Sequence, residues 1–336
     1  MVSSLSKTIA GLSNQQDSMR QTQVKQDTIS NYFVLSDYKL KIQLTKVQLE
    51  ERTLGDAFVL GNTQQGILGT NKLGESGVGA WGDKENDVVL RNLTRTGKNF
   101  VASWLASESY TPPTHVGFGS GSGAPSEGDT TLATETGSRT NIDTYGVGTS
   151  KTVTYQSLWT EGTQRTVREV GLFDASSTGN LYVRHVFDAD QTLAVSKQFR
   201  LTFTVILADS TAGTALIVDA GMNVIRDAIA NVAANPPTYT EWNDTTSTPL
   251  ITHTESTWDS GSSNEDRNIF TISSRVNNVV SFETLLDTTE LNSVNITKSG
   301  TFNASANGTL FGQILYGSIV KTNLFQVYEI DRYTVI

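Results

Sequence analysis

The sequence predicts a mainly β protein. It expects two tandem antiparallel β-sandwich or barrel-like modules, each with one amphipathic helix, after an extended N-terminal arm. Three observations lead there. Ser and Thr together are 79 of 336 residues, accompanied by 28 Gly and 22 Asn, a composition of strands and turns rather than helices. Short alternating apolar and polar runs recur between turn residues. The six prolines form two sets at one spacing: Pro112, Pro113 and Pro125 precede Pro236, Pro237 and Pro249 by 124 residues each, the mark of an internal repeat.

The N-terminal arm comes first. Residues 1–30 are polar, with apolar Val2, Leu5, Ile9, Leu12 and Met19. Steps of three and four make a short heptad seam. Leu5, Ile9, Leu12 and Met19 are the candidate oligomerisation or docking residues, packing between chains or on a partner. Leu40, Ile42 and Leu44 then alternate with Lys39, Lys41 and Gln43, a half-buried strand over 38–50. Residues 54–82 carry eight glycines and read as an extended connecting arm. The division is 1–87 for the arm, 88–208 for the first module and 212–336 for the second.

Within the repeat, Gly97 matches Gly221. Phe100, Val101, Trp104 and Leu105 match Val224, Ile225, Ala228 and Ile229, one face of a helix in each copy. Helices are expected near 97–107 and 220–232, with Thr96 and Asp219 as N-caps. Farther on the offset becomes 129: Gly171-Leu-Phe-Asp-Ala-Ser matches Gly300-Thr-Phe-Asn-Ala-Ser, Gly179 matches Gly308, and Leu181 matches Leu310. Val170 and Leu172 lead through a turn to Leu181–Phe187, a hairpin. Phe199, Leu201, Phe203 and Val205 form a further strand. In the second copy, strands are expected at 269–272, 279–286, 309–315 and 325–336, the last closing the sheet. Residues 93–206 and 217–336 should superpose, with Phe173 and Phe302 in matching core positions.

Chemistry is sparse in this sequence. Cys is absent, which removes disulfides, thiolate metal sites and Cys nucleophiles. The net charge of −9 argues against a nucleic-acid binder. His115, His185 and His253 are 70 and 68 residues apart, a spacing of no metal motif; they read as structural or surface residues. The run Gly117-Phe-Gly-Ser-Gly-Ser-Gly123 formally resembles a dinucleotide loop but is followed by Pro125 and no helix start, so it reads as a surface loop whose glycines the fold does not need. Asp188 and Asp190 form an isolated pair. Asp259, Glu265 and Asp266 could hold a weak Ca²⁺, although a solvated acidic loop is the plainer reading. Trp104 reads as core; Trp242 and Trp258 read as possible binding anchors. The five Asn-x-Ser/Thr sites match chance in so hydroxyl-rich a chain. No catalytic residue, metal or cofactor is assigned. The start lacks the apolar core of a signal peptide and no run is long enough to span a bilayer, so synthesis in the cytoplasm and no membrane insertion are expected.

Copy one runs Pro113-Thr-His-Val-Gly-Phe-Gly-Ser-Gly-Ser-Gly-Ala-Pro125, then Asp129-Thr-Thr-Leu-Ala-Thr-Glu135, Val167-Arg-Glu-Val-Gly-Leu-Phe-Asp-Ala175 and Gly179-Asn-Leu181. This resembles virion proteins of tailed bacteriophages and tailed archaeal viruses, in which a helix precedes a Gly/Thr-rich loop and a Gly-Leu-Phe-Asp hairpin. The likeness spans about 120 residues well and the second copy weakly. It implies a non-enzymatic part of a tail, baseplate, fibre or collar, docked through its N-terminal region. Head decoration or turret protein is the alternative location, and a virion polysaccharide depolymerase the alternative activity. Implied partners are further copies of the chain, a trimer being favoured, other virion proteins, and host surface glycans.

Overall fold

The computed structural model describes residues 25–27, 31–53, 80–148, 151–209, 215–258 and 265–336. Leu5, Ile9, Leu12 and Met19, and nearly all of the glycine-rich stretch, lie outside the described residues. The protein is mainly β, with 18 strands and three helices among those residues.

The strand expected at 38–50 runs much further, over Asn31–Thr53 (β2). Its buried residues first fall on even positions, with Leu40, Ile42 and Leu44 fully covered, and then on odd ones, Val47 and Leu49. The change of parity has a cause in the pairing. Against the antiparallel strand Lys197–Asp209 (β10), the register slips between Thr204 and Val205, so that Leu44 and Lys46 find partners and Thr45 does not. Thr45 instead donates its hydroxyl to the Thr204 carbonyl at 3.1 Å. This is a β-bulge, which turns the strand's apolar face to follow the core.

β2 organises the molecule. On one edge its C-terminal half pairs with β10; on the other its N-terminal half pairs with the last strand, Gln326–Val335 (β18). β10 continues to Thr152–Thr160 (β7) and Thr144–Val147 (β6). β18 continues to Val279–Leu286 (β15) and Ile272–Val276 (β14). Lys25–Asp27 (β1) and Gly82–Asn92 (β3) also pair with β2, completing nine strands. The final strand therefore lies inside an open sheet and closes nothing. Its pairing with β2 is parallel, the exception among otherwise antiparallel described ladders. One strand serving β10 and β18, which run in opposite senses, must be parallel to one of them.

Two smaller sheets cover this large one. The first is formed by Thr140–Asn141 (β5), His115–Gly119 (β4), Arg165–Phe173 (β8) and Leu181–Leu193 (β9), in that order. The second is Ala215–Ile217 (β11), Leu310–Val320 (β17), Asn295–Phe302 (β16), Tyr239–Asn243 (β12) and Glu265–Ile269 (β13). The strand expected over 269–272 divides here: β13 ends at Ile269, and the chain crosses to the large sheet before β14.

Contacts recur between the halves, at the 124- and 129-residue spacings the sequence shows and, for Ile142 and Phe270, at 128. Thr114 N donates to Phe173 O and Thr238 N to Phe302 O, both at 2.7 Å. Ile142 N bonds Thr114 O, and Phe270 N bonds Thr238 O. Asn180 N caps the Asp174 carboxylate at 2.7 Å, while Thr309 N caps the Asn303 amide oxygen at 2.6 Å. Phe173 packs with Leu132 and Leu181; Phe302 packs with Leu310, Val218 and Trp258.

The helices are Arg95–Leu105 (α1) and Asp219–Ile229 (α2), starting slightly earlier than expected. The N-caps are Thr94 and Val218 rather than Thr96 and Asp219. Thr94 accepts from Gly97 N through its hydroxyl at 3.0 Å, which residues inside the first turn cannot do. Val218 offers no side-chain acceptor, and Asp219 instead places a carboxylate in the first turn, where the helix dipole favours it. Each helix touches both halves. α1 packs on β9 of its own half and on β15 and β18 of the other; α2 packs on β17 and on β7 and β10. The Tyr155 hydroxyl seals one exchange by donating to Ile229 O at 2.9 Å. A short helix, Glu255–Trp258 (α3), precedes β13.

Candidate functional site

The ends of the small sheets hold the first polar constellation. Glu169 on β8 is fully buried. Its carboxylate accepts from Gly121 N at 3.0 Å, Thr134 N at 2.8 Å, Ala133 N at 3.1 Å and Arg184 Nε at 2.6 Å. Arg184 in turn reaches Asp129 at 3.0 Å. The glycine loop is thus pinned at its start. A Cβ on Gly119 or Gly121 would sit 2.5 Å from Glu169 Oε1, closer than real contacts allow. The reading of the run's glycines as unneeded by the fold is corrected for Gly119 and Gly121, which the buried carboxylate requires, and for Gly117, where a Cβ would sit 2.6 Å from the Phe173 ring; Gly123 has open space.

Copy two has no such glycines because its charge differs. The residue paired with Asn243, as Glu169 is with Gly119, is Lys298. It too is fully buried and donates to Trp258 O at 2.6 Å and Ser247 Oγ at 3.2 Å. The Arg184–Asp129 ion pair becomes Gln313 and His253, joined at 2.9 Å.

A matched polar pair also exists that the sequence comparison missed. Arg139 lies 3.4 Å over the Phe173 ring and Arg267 lies 3.8 Å over Phe302. Each guanidinium donates to an equivalent carbonyl, Ala175 O at 2.9 Å and Ala304 O at 3.0 Å. Each also meets a carboxylate, Glu135 or Glu241. The signal was a shared Arg 128 residues apart, hidden by a third offset.

The second constellation lies between the large sheet and the five-stranded sheet. In the first half the equivalent layer is apolar: Val116 and Phe118 from β4, Val170 and Leu172 from β8, and Leu201, Phe203 and Val205 from β10, all buried. Strand register fixes their counterparts. They are Thr240 and Trp242, Ser299 and Thr301, then Glu329, Asp331 and Tyr333, with no measurable exposure. All seven positions change from aliphatic or Phe to polar or amphipathic. Glu329 accepts from Ser36 Oγ at 2.9 Å, from Trp242 Nε1 at 2.5 Å and from Ser299 Oγ. Asp331 accepts from Thr240 Oγ1 at 2.8 Å. Tyr333 stacks on Tyr38 with ring centroids 4.6 Å apart. Gly312 stands where β9 has Val183, and a Cβ there would meet both tyrosines at 2.7 Å. Burial drives both acids upward: Glu329 to about 7, and Asp331 well above the usual carboxylate range with the Glu329 charge adding to it.

Other residues singled out in the sequence separate. Trp104 is buried in the core as expected. Trp242 and Trp258 are fully buried, so neither is a surface anchor; one spends its indole N–H on Glu329 and the other packs on Phe302. His185 bonds Asp87 at 2.6 Å, with burial still lowering its pKa. His115 meets the Thr114 hydroxyl at 2.8 Å. Glu265 is exposed and Asp266 half-buried, while Asp259 lies outside the described residues. Among the described residues no three His, Asp or Glu side chains are placed to share a metal ion, and no helix is long and apolar enough to cross a membrane.

On the surface, a groove of about 330 Å³ runs between α1 and the turn of the β8–β9 hairpin. Thr96, Asn99 and Ser103 of α1 line it together with Asp174, Asn180 and, from β14, Arg275. No family model and no curated protein matches this chain.

Proposed function

We propose that this chain is a non-enzymatic structural component of a tailed-virus particle, a tail, baseplate, fibre or collar protein. In this proposal it docks through its N-terminal region, residues 1–87, by the part that precedes β2, while β2 itself belongs to the large sheet on which two duplicated β modules, 88–208 and 212–336, are built and presented. The observation that carries it is the pattern of what the halves share. Matched positions hold the frame: Gly97 and Gly221, Phe173 and Phe302, Arg139 and Arg267. Buried polar groups at the sheet ends differ, even to reversal of charge. A duplicated catalytic centre would keep its polar groups in both copies; a duplicated scaffold need keep only backbone and core. The Gly-Leu-Phe-Asp hairpin resemblance supplies the virion class.

The proposed assembly is a homo-oligomer, favoured as a trimer, held through Leu5, Ile9, Leu12 and Met19 with other virion proteins as neighbours. Host surface glycans are a further proposed partner, and the hydroxyl- and amide-lined groove beside α1 is where they would bind. Immunogold labelling of purified particles with antibody to the recombinant chain tests the reading. Label at the tail, collar or baseplate supports it, and label over the head moves it to a decoration protein. Release of reducing ends from host polysaccharide, lost on changing one carboxylate, would replace it with a depolymerase.

A further inference from the structure

Glu329 and Asp331 stand two residues apart on one face of β18, so their side chains enter the same layer about 7 Å apart along the strand. Both are fully buried. The groups that face them are unequal. Glu329 receives three donors, from Ser36, Trp242 and Ser299. Asp331 receives one direct hydrogen bond, from Thr240; the Tyr38 and Ser36 hydroxyls stand near enough to favour its anion, but burial and the Glu329 charge outweigh them. The titratable neighbours are phenols that bring no positive charge: Tyr38 from β2, Tyr316 from β17 and Tyr333 on β18, with Asp209 of β10 acting on Tyr333. The flanking charges Asp37 and Arg332 lie at alternate positions and pair with each other at 3.1 Å. Three donors can hold one buried charge. A second buried charge beside it, with no cation facing it among the described residues, is too costly to keep.

We propose that Glu329 and Asp331 form a proton-binding site that fastens the five-stranded sheet to β18 and β2 when protonated and loosens that half of the molecule when it ionises. The first half has no such site, because Leu201 and Phe203 occupy the equivalent places. Asp331 keeps its proton longest: burial and the neighbouring acid both disfavour ionisation. Glu329 is the group that titrates first, and its three donors make its anion the less costly one.

Hydrogen exchange read by mass spectrometry on the full chain tests this between pH 5 and pH 9, corrected for intrinsic exchange. Peptides from β12, β16, β17 and β18 should lose protection with rising pH. Their opening constant should grow about a hundredfold per pH unit up to neutrality, a factor of about ten for each of the two acids, and about tenfold above it while Asp331 alone still holds its proton, wherever opening restores ordinary pKa values. Peptides from β4, β8, β9 and β10 should not follow. The pair Glu329→Gln and Asp331→Asn should flatten the response of the second half. Equal pH dependence in both halves, or an unchanged response in the double variant, overturns the proposal. Infrared spectroscopy of the unmodified protein gives a reading that needs no variant to fold. A protonated carboxyl band should persist at pH 7.5 and vanish on unfolding, and its absence in the native state overturns the proposal as well.

Discussion

Glu169 and Lys298 occupy one and the same place in the two halves of this chain, both fully buried and opposite in charge. Neither charge is left alone. The carboxylate gathers three backbone N–H groups and Arg184, and the ammonium gathers a carbonyl and a hydroxyl. Each has its own surroundings, glycines around the acceptor and Ser247 and the Trp258 carbonyl around the donor.

Glu169→Ala should destabilise the protein by about 3–5 kcal/mol, since it takes from the buried Arg184 cation one of its two carboxylates and leaves three amides without their acceptor. Lys298→Met should cost less, about 1–3 kcal/mol, because it removes the charge itself and leaves the Trp258 carbonyl and the Ser247 hydroxyl, both neutral, short of one partner. Urea unfolding of the two variants under one condition checks the order. A larger loss for Lys298→Met would show that the glycine loop is not held by Glu169.

Gly97 and Gly221 should prove equally intolerant. A Cβ at Gly97 would lie 2.5 Å from Tyr182 O, and one at Gly221 2.5 Å from Phe311 O and Cα. These are backbone obstacles, which cannot swing aside. Gly97→Ala and Gly221→Ala should each lower stability by about 2–4 kcal/mol, although alanine is the better helix former. Thermal unfolding shows this as matched falls in Tm, and a rise in either would mean that helix and sheet can separate without cost.

Arg139→Ala and Arg267→Ala remove a cation stacked on a buried Phe; the first frees one carboxylate, Glu135, and the second two, Glu241 and Glu255. A loss of about 1–2 kcal/mol is expected at each position. Near-additivity in the double variant, measured by denaturant unfolding, follows from their places in separate sheets.

The pH dependence of stability carries the sign of Glu329. Its native pKa is raised from 4.5 to about 7, so the folded state holds the proton more tightly than the unfolded one. Its contribution is complete below pH 4.5 and lost as pH climbs to 7, about 3 kcal/mol in all. Comparing the native chain with Glu329→Gln at pH 4.5 and pH 7.5 isolates this term from the surface carboxylates. The stability difference between the two proteins should shift in favour of the variant at the higher pH.

Much of the frame was legible in the residues. Alternation marked β2, β8, β10 and β15, and the proline and glycine spacings marked equivalent places in the two halves, because backbone geometry and core faces constrain residue type locally. The matched arginines escaped notice because loop-length differences shift the offset three times, and only the shared stack on Phe reveals them.

The sequence by itself determined a β-rich, cysteine-free chain with an internal repeat, since composition, periodicity and turn chemistry act over neighbouring residues. The tertiary structure alone decided that the halves share β2, that each helix packs against the other half, and that Trp242 and Trp258 face inward. It also decided that Glu329 and Asp331 of an alternating strand sit in a sealed layer. An acid at every second position looks like the wet face of a strand until a second sheet is laid over it. Which face is covered depends on long-range pairing, and residue order does not encode that locally.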